Sequence, residues 1–462
     1  MSNFARPIDL WWFQRVPHFS MRVFLLGREN VAATKQGRNR WGEIRARPAI
    51  GLATSETNQK GDEMKSRTLT CMTTMALLVA LTASLRLAAQ DLAEHHPQTH
   101  YRVVNLGVPL GGSASGAAAI NNLGWVAGDS NLAGDASQHA ELWVYGYPID
   151  MGTLGGPNSA VLWPGLNIWG EAVGISDTSV TDPLGESWSC GAFFPASHSG
   201  HTCVGFKWQW GVGMTPLPTL GGNNGFATSV NNFGQAVGWA ENSVHDPTCV
   251  PPQVLQFEAV IWGPGPGQIQ QLPPYSRDPD GSATGINDKG QVIGISGICQ
   301  NAVGNQSALH ALLWQHGTVT NLGNLGGFAW HTPMALNNRG QIVGFSDLPG
   351  DDNGANPNFH AFLWTQAHGM QDLGTLPGDA ISEALGINNQ GQIVGVSYGA
   401  GFTNPRAFLW QNGVMTDLNT LIPPGSSLSL QAAQEINDLG EIVGQASDQS
   451  SGKSPAFLLT PR

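Results

Sequence analysis

Seven copies of one hydrophobic and polar pattern run along the chain. Each copy reads as an apolar residue, Asn, two residues, Gly, one residue, two mostly aliphatic residues and Gly. The copies are Ile120–Gly128, Leu166–Gly174, Val230–Gly238, Ile286–Gly294, Leu336–Gly344, Ile387–Gly395 and Ile436–Gly444. Asn-x-x-Gly between two β-prone runs predicts a tight hairpin, because Asn bonds its own backbone and Gly adopts the left-handed conformation. The second Gly, inside a strand, predicts a bulge or a close approach of two backbones.

A second pattern follows each copy and is apolar on both faces of a short strand. It occurs at Ala140–Trp143, Gly205–Trp208, Ala259–Trp262, Ala311–Trp314, Ala361–Trp364, Ala407–Trp410 and Ala456–Leu459. A strand that is apolar on both faces must be covered on both sides. We therefore predict that the Trp residues of this pattern pack between modules. A third pattern, such as DMGTLGG from Asp150, supplies a fourth strand.

Repeated four-strand modules of this length are typical of propeller blades. The last module ends after its third strand, whereas Tyr101–Gly112 resembles an isolated fourth strand. We predict an all-β fold over residues 101–462, a seven-bladed β-propeller of four-stranded blades whose ring is closed by the N-terminal strand completing the last blade. An open β-solenoid is the alternative, and it would leave both end modules incomplete.

The repeated phrases resemble a known family. HAFLW at His360–Trp364, HALLW at His310–Trp314 and the INNQGQIVG and DLGTL phrases are similar to the HAF repeat of bacterial proteins. The resemblance covers roughly residues 101–462 and implies an extracellular protein, and it implies no reaction because the family is largely of unknown function. Arg406 and Pro455 replace the repeated His in the last two modules, which argues against a catalytic role for that His.

The segment before the repeats has the layout of a signal peptide. Residues 64–89 combine basic Lys65 and Arg67, an apolar run at Met75–Ala83 and small residues at Ala88–Ala89. The run is too short to span a bilayer. We predict export to the periplasm or the exterior from a start at Met64, with 1–63 a non-native or disordered extension and 90–100 a linker.

The composition and the charge indicate which class of protein this is and which kinds of partner it can bind. Only 12% of the residues are charged and 60 of 462 are Gly, which favours a turn-rich β protein over a helical one. From residue 90 onward, eight basic residues stand against 27 acidic ones, a formal net charge of −19. Such a surface repels phosphate backbones, so we predict no nucleic-acid partner. We also predict a monomer without a membrane span in the mature chain.

Four cysteines follow the predicted signal peptide. An even number in an oxidising compartment predicts two disulfides. Cys190 and Cys203 would close one loop, and Cys249 and Cys299 lie in equivalent loops of adjacent blades. The alternative is a zinc site formed by the first pair with nearby histidines, but the spacing matches no standard zinc motif.

The long, variable second-to-third strand loops share one face of a propeller. We expect a binding site on this face or at the mouth of the central channel. Trp188 and Trp330 lie outside the repeated Trp pattern and are the candidates for ligand stacking.

Arg277–Ser282 faintly resembles a calcium loop but lacks further oxygen ligands, so no cofactor or metal is predicted. The catalytic residues are unknown, since no nucleotide-binding, nucleophile-elbow or HExxH motif occurs after residue 90.

Three hypotheses about function follow. The first is an exported binding module for extracellular carbohydrate or protein. The second is a polysaccharide hydrolase or lyase with acidic residues at the channel mouth. The third is a structural scaffold.

Overall fold

The computed structural model describes residues 99–186, 190, 193–194, 199–300, 305–350 and 358–462. The predicted upstream extension, the signal peptide and most of the linker lie outside these residues. The described residues contain 28 strands, which form seven four-stranded antiparallel sheets, together with two short 3₁₀ helices, Asn305–Ala308 and Leu418–Thr420. The predicted seven-bladed propeller is confirmed. Within the described part of the chain, no helix is long and apolar enough to cross a membrane.

Blades 1 to 6 are each built from four successive strands. Blade 1 comprises β2 (Gly111–Ile120), β3 (Val126–Leu132), β4 (Gln138–Val144) and β5 (Tyr147–Asp150). Blade 2 comprises β6 (Gly155–Ala160), β7 (Ala172–Thr181), β8 (His201–Gln209) and β9 (Gly213–Pro216). Blade 3 comprises β10 (Gly221–Val230), β11 (Ala236–His245), β12 (Leu255–Trp262) and β13 (Ile269–Gln271).

The second half of the ring repeats this order. Blade 4 comprises β14 (Asp280–Ile286), β15 (Val292–Gly297), β16 (His310–Gln315) and β17 (Thr318–Asn321). Blade 5 comprises β18 (Thr332–Leu336), β19 (Ile342–Asp347), β20 (Phe359–Thr365) and β21 (Gly369–Gly374). Blade 6 comprises β22 (Ile381–Ile387), β23 (Ile393–Gly399), β24 (Thr403–Gln411) and β25 (Val414–Asp417).

Blade 7 joins the two ends of the propeller. It comprises β26 (Leu428–Ile436), β27 (Ile442–Asp448), β28 (Ala456–Pro461) and, as its outer strand, β1 (Tyr101–Gly107). β1 runs antiparallel to β28, with Tyr101 opposite Pro461. The predicted closure of the ring is therefore confirmed. Tyr101 is almost fully buried and packs in the same apolar cluster as Phe457.

Each Asn-x-x-Gly turn has the geometry that its residues predict. Asn231 Oδ1 accepts hydrogen bonds from the backbone N–H of Phe233 (3.1 Å) and Gln235 (3.0 Å), and Gly234 has a φ of +76°. The Asn side chain also makes a hydrogen bond that the pattern did not predict. Its Nδ2 donates to the backbone oxygen of the equivalent Asn in the next blade. Seven such hydrogen bonds, 2.9 to 3.3 Å long, form a closed circle from blade to blade. The donors are Asn121, Asn167, Asn231, Asn287, Asn337, Asn388 and Asn437.

The second repeated Gly makes the predicted close approach and places a bulge opposite it. A Cβ at Gly395 would overlap the backbone oxygen of Glu383 in the innermost strand of blade 6. Gly395 pairs with Ala384 and Val394 pairs with Gly386, so Leu385 is the extra residue of a β-bulge. Equivalent register shifts occur in the innermost strands of blades 1, 3, 4, 5 and 7. In these six blades the bulge places an extra residue in the innermost strand.

The repeated Trp residues pack between blades, as predicted. Trp143 and Trp262 are fully buried, and Trp410 is half-buried against the apolar cluster between blades 5 and 6. Trp262 Nε1 donates to the Pro218 oxygen, and Trp314 Nε1 donates to the Pro273 oxygen, both over 2.8 Å. In blades 3 and 4 the indole therefore connects the third strand to the segment that enters the blade.

Candidate functional site

Both predicted disulfides are present on the long-loop face. Cys190 bonds to Cys203 within blade 2, and Cys249 bonds to Cys299, joining loops of blades 3 and 4. The zinc alternative is wrong for these cysteines, because their sulfurs are bonded to each other. Within the described ranges, no group of three or more His, Cys, Asp or Glu residues is arranged to hold a metal ion.

The structure describes one of the two residues that the sequence predicts to stack on a ligand. Trp188 lies outside the described residues. Trp330 is half-buried and has a left-handed backbone, with a φ of +62°. It lines a small apolar cavity together with Phe226, Trp239 and Phe345, so it belongs to the channel wall and not to an open surface. Its role in ligand binding stays a prediction.

The segment that resembles a calcium loop uses its carboxylates in other contacts. Asp278 Oδ2 lies 2.7 Å from His310 Nδ1 and accepts a hydrogen bond from the Ser296 hydroxyl. Asp280 Oδ1 accepts from the backbone N–H of Phe257 over 3.0 Å. Burial, reinforced by the neighbouring Asp246, raises the pKa of Asp280 to about 9. Asp280 is therefore neutral at pH 7, which suits a polar inter-blade contact.

The repeated His residues contact Asp side chains along the blade edges. His139 Nδ1 lies 3.0 Å from Asp150, and His360 Nδ1 lies 2.9 Å from Asp372, in each case across the third and fourth strands. Arg406 occupies the same position in blade 6 and pairs with Asp417 at 3.3 Å. Because either His or Arg at this position contacts an Asp of the fourth strand, the repeated His acts as a structural partner of that Asp.

The central channel contains a second, larger cavity of about 110 Å³, here called the channel cavity. Its walls come from blades 1, 2, 5, 6 and 7, and four of its lining residues occupy bulge positions of the innermost strands. Those four are Ala118, Met334, Leu385 and Gln434. The lining includes the aromatic residues Trp163 and Phe193 and the polar residues Asp129, Glu383 and Tyr398.

The two carboxyl groups in the channel cavity both have raised pKa values. Burial, with a smaller contribution from Glu141, raises the pKa of Asp129 to about 8. Burial alone raises the pKa of Glu383 to about 8. In each case burial is the main cause of the shift, and the other carboxyl group of the cavity is not among the causes.

The opposite face of the ring, formed by the tight turns, carries exposed aromatic side chains. The third residue of the Asn-x-x-Gly turn is apolar in the four adjacent blades 7, 1, 2 and 3, and it is polar in blades 4 to 6. The apolar residues are Leu439, Leu123, Trp169 and Phe233, and the polar ones are Lys289, Arg339 and Gln390. Trp169 is 72% exposed and Phe233 66%. Tyr145, Tyr147, Trp210 and Val212, in the turns between third and fourth strands of blades 1 and 2, are also exposed.

An open groove of about 650 Å³, here called the inter-blade groove, lies between blades 2 and 3 on this face. Trp169, Phe233 and Val212 contribute apolar surface to it, and Lys207 and Gln209 contribute polar groups.

Hydrogen bonds hold the side chains of the inter-blade groove in place. Trp169 Nε1 donates to the Asn232 backbone oxygen over 3.0 Å. Lys207 Nζ donates to the Gly234 oxygen over 2.7 Å, and Gln209 donates to the Glu171 carboxylate. The groove is thus formed before any ligand binds.

The sequence predicted a binding site on the long-loop face and missed the inter-blade groove. The available signal was an aromatic residue at the same turn position in two successive repeats, Trp169 and Phe233. Because these turns are short, their face seemed to offer little surface.

Comparisons with known proteins add little to this geometry. No family model matches the chain, and no curated protein matches it. Among solved structures, a mutant of puromycin hydrolase in complex with PGG aligns at 13% identity and a TM-score of 0.40, covering 66% of this chain and 45% of that one. A gluconolactonase from Xanthomonas campestris aligns at 8% identity and a TM-score of 0.36, covering 80% and 96%. An acylaminoacyl peptidase from Pyrococcus horikoshii aligns at 11% identity and a TM-score of 0.40, covering 74% and 50%.

The chain thus spans about half the length of the hydrolase and the peptidase that it matches. At these identities and TM-scores, the likeness carries no inference about activity.

Proposed function

We propose that this protein is an exported binding module of the HAF-repeat type that holds a neutral carbohydrate in the inter-blade groove. The observation that carries the proposal is the pair of exposed aromatic residues, Trp169 and Phe233, beside fixed polar groups in one groove. Exposed apolar surface of this kind marks interaction sites.

The chemistry of the groove matches a sugar ring. A pyranose has an apolar C–H face that packs on an aromatic ring, and its hydroxyl groups need hydrogen-bond partners at the rim. Trp169 supplies the flat surface, and its orientation is fixed by the bond to Asn232. Lys207, Gln209 and Glu171 supply donors and acceptors around it.

Charge favours a neutral ligand over an acidic polysaccharide. The region after residue 90 carries a formal net charge of −19, which repels polyanions. Within the groove, Lys207 is the cationic residue, and its ammonium group already donates to the Gly234 oxygen.

Export is supported by the two disulfides, because such bonds persist in oxidising compartments. The signal peptide that begins at Met64 and the HAF-repeat assignment stay part of the proposal. The repeated Asn, Gly, Trp and His residues each have a structural role in the blade, which is what a repeat family would preserve.

The test is affinity electrophoresis of the protein in gels that contain neutral polysaccharides, with variants in the groove. Trp169→Ala and Phe233→Ala are each expected to weaken binding about tenfold, the equivalent of about 1.4 kcal/mol of lost stacking. Leu439→Ala is the matched control, because it changes the same turn position in blade 7, away from the groove. We expect this variant to bind like the wild type.

Two results would contradict the proposal. Folded wild-type protein that is retarded by no neutral polysaccharide would exclude carbohydrate binding and favour a protein partner or a scaffold. Binding that survives both groove substitutions would place the site elsewhere.

The hydrolase or lyase alternative has its own discriminating result. Asp129 and Glu383 are the carboxyl groups that line the channel cavity in the described residues. Release of sugar products by the wild type, and its loss in Asp129→Asn, would favour an enzyme over a binding module.

A further inference from the structure

The channel cavity is lined by a buried carboxyl group with an unfilled hydrogen-bond acceptor. Glu383 is only 7% exposed, and its Oε1 atom has no hydrogen-bond partner among the described residues. Asp129 is 5% exposed and lines the same cavity, with the Tyr398 side chain and the Gln434 amide. A buried polar atom without a partner costs stability, so an unfilled acceptor in a cavity points to a missing ligand.

The lining of the channel cavity also includes aromatic residues. Trp163 and Phe193 line it, with ring centroids 6.5 Å apart and planes at 77°. Aromatic rings attract cations through the negative potential of their faces, most strongly where water is excluded. The cavity therefore combines two features that recognise positive charge, carboxyl groups and aromatic rings.

The size of the cavity limits what can enter. Its volume of about 110 Å³ is somewhat smaller than the roughly 150 Å³ cavity that accommodates benzene in another protein. An extended ligand does not fit, whereas a compact small molecule does.

We propose that the channel cavity binds a small organic ammonium ion, with its cationic group beside Asp129 and Glu383 and its alkyl groups against Trp163 and Phe193. This site is separate from the inter-blade groove and does not depend on the carbohydrate proposal.

Binding of such a cation is coupled to release of a proton. Before binding, each carboxyl group is protonated at pH 7, as its pKa near 8 requires. When the ammonium ion enters, a carboxyl group ionises and its proton leaves to solvent, so charge in the cavity stays balanced. Affinity therefore rises with pH.

Neighbouring titratable groups modify this coupling. The strands packed against Asp129 carry His139 and Glu141. The strands packed against Glu383 carry Tyr398, Glu435, Asp347 and His360. The histidines pair with Asp150 and Asp372, and the pKa of Tyr398 lies well above its ordinary value, so this hydroxyl remains neutral.

The experiment compares choline with 3,3-dimethyl-1-butanol, which has the same shape without the charge, by calorimetric titration of the full chain. We expect choline to bind at least about tenfold more tightly, a difference of about 1.4 kcal/mol. Between pH 6 and pH 8 the choline affinity is expected to rise about 50-fold if one carboxyl with a pKa near 8 is coupled.

Three variants locate the site. Glu383→Gln and Asp129→Asn keep the shape of the neutral carboxyl groups and are expected to weaken choline binding at least tenfold and to flatten its pH dependence. Glu258→Gln is the control, because this carboxyl group in blade 3 is also buried with a raised pKa but lies outside the cavity.

The wild-type comparison alone can overturn the proposal. Equal affinity for the alcohol and choline, an affinity that does not change with pH, or no choline binding at millimolar concentration by folded protein would each exclude an ammonium site. Retention of choline binding by Trp169→Ala would separate this site from the inter-blade groove.

Discussion

The inter-blade groove and the channel cavity share one arrangement, which occurs at two positions of the repeat. In both, repeated residues fix the backbone beside a residue that differs between blades. In the groove, Asn231 and Gly234 fix a turn, and Phe233 between them is free to vary and is 66% exposed. In the channel cavity, Gly395 fixes the approach of two strands, and the bulge residue Leu385 is free to vary and is 6% exposed. At each site, repeated residues hold the backbone, and a residue that differs between blades supplies the side chain that lines the site.

The two regions differ in how much the removal of a variable side chain is expected to lower the free energy of unfolding. Groove side chains are exposed, so their removal leaves no void in the core. Residues of the channel cavity are packed among blades, so their removal changes both stability and binding. We therefore expect stability and binding to separate at the groove and to change together in the channel.

The largest effect is expected from a side chain at Gly395. In Gly395→Val the new Cβ would overlap the Glu383 oxygen and crowd the ring of Phe408, so two strands of blade 6 must separate. We expect a loss of about 4 kcal/mol in the free energy of unfolding, measured by urea denaturation. The channel cavity would be distorted, and the inter-blade groove, in blades 2 and 3, would be retained in whatever protein folds.

The control for this variant is a glycine in an open turn. Gly413 has a φ of +83° and no heavy atom within 4 Å of a Cβ built on it. Gly413→Ala is expected to cost about 1 kcal/mol, from backbone strain alone. Equal losses at the two positions would show that the close approach at Gly395 does not control the fold.

An effect of similar size is expected from pH. The folded state keeps the Glu383 proton up to about pH 8, whereas the unfolded chain loses it near the ordinary value of 4.5. Between these values the folded state binds more protons, so each such group lowers the free energy of unfolding by about 1.4 kcal/mol per pH unit as pH rises. The wild type is therefore expected to be more stable near pH 5 than near pH 8.

Glu383→Gln isolates the contribution of the channel. The variant carries a neutral side chain at every pH, so it should match the wild type near pH 5 and be more stable near pH 8. Urea denaturation over this pH range measures the difference. An unchanged pH slope in the variant would mean that Glu383 ionises normally in the folded protein.

Features encoded within a single repeat could be predicted from the sequence. The turn at Asn231 and Gly234 and the close approach at Gly395 follow from local residue types. The closing strand at Tyr101–Gly107 could be predicted because the last module lacks a fourth strand. The disulfide Cys249–Cys299 could be predicted because its two loops occupy equivalent places in adjacent repeats.

Features that depend on the curvature of the ring could not be predicted in this way. The turn alone explained Asn231, so its second bond, to the oxygen of Asn287 in the next blade, was missed. Trp169 and Phe233 belong to different repeats and meet only because the blades lie side by side. The raised pKa of Glu383 depends on burial by other blades, which residue order does not reveal.

The smallest effect on stability is expected at Trp169, where the comparison between the two regions is sharpest. Trp169→Ala removes an indole that is 72% exposed, so the free energy of unfolding is expected to change by less than about 0.5 kcal/mol. Trp163→Ala in the channel cavity removes an indole that is 5% exposed and should cost about 3 to 5 kcal/mol. Thermal and urea denaturation of both variants, beside polysaccharide binding, measures the contrast. If Trp169→Ala were as destabilising as Trp163→Ala, the groove would be part of the structural core, and its loss of binding would report unfolding and not a lost contact with the sugar.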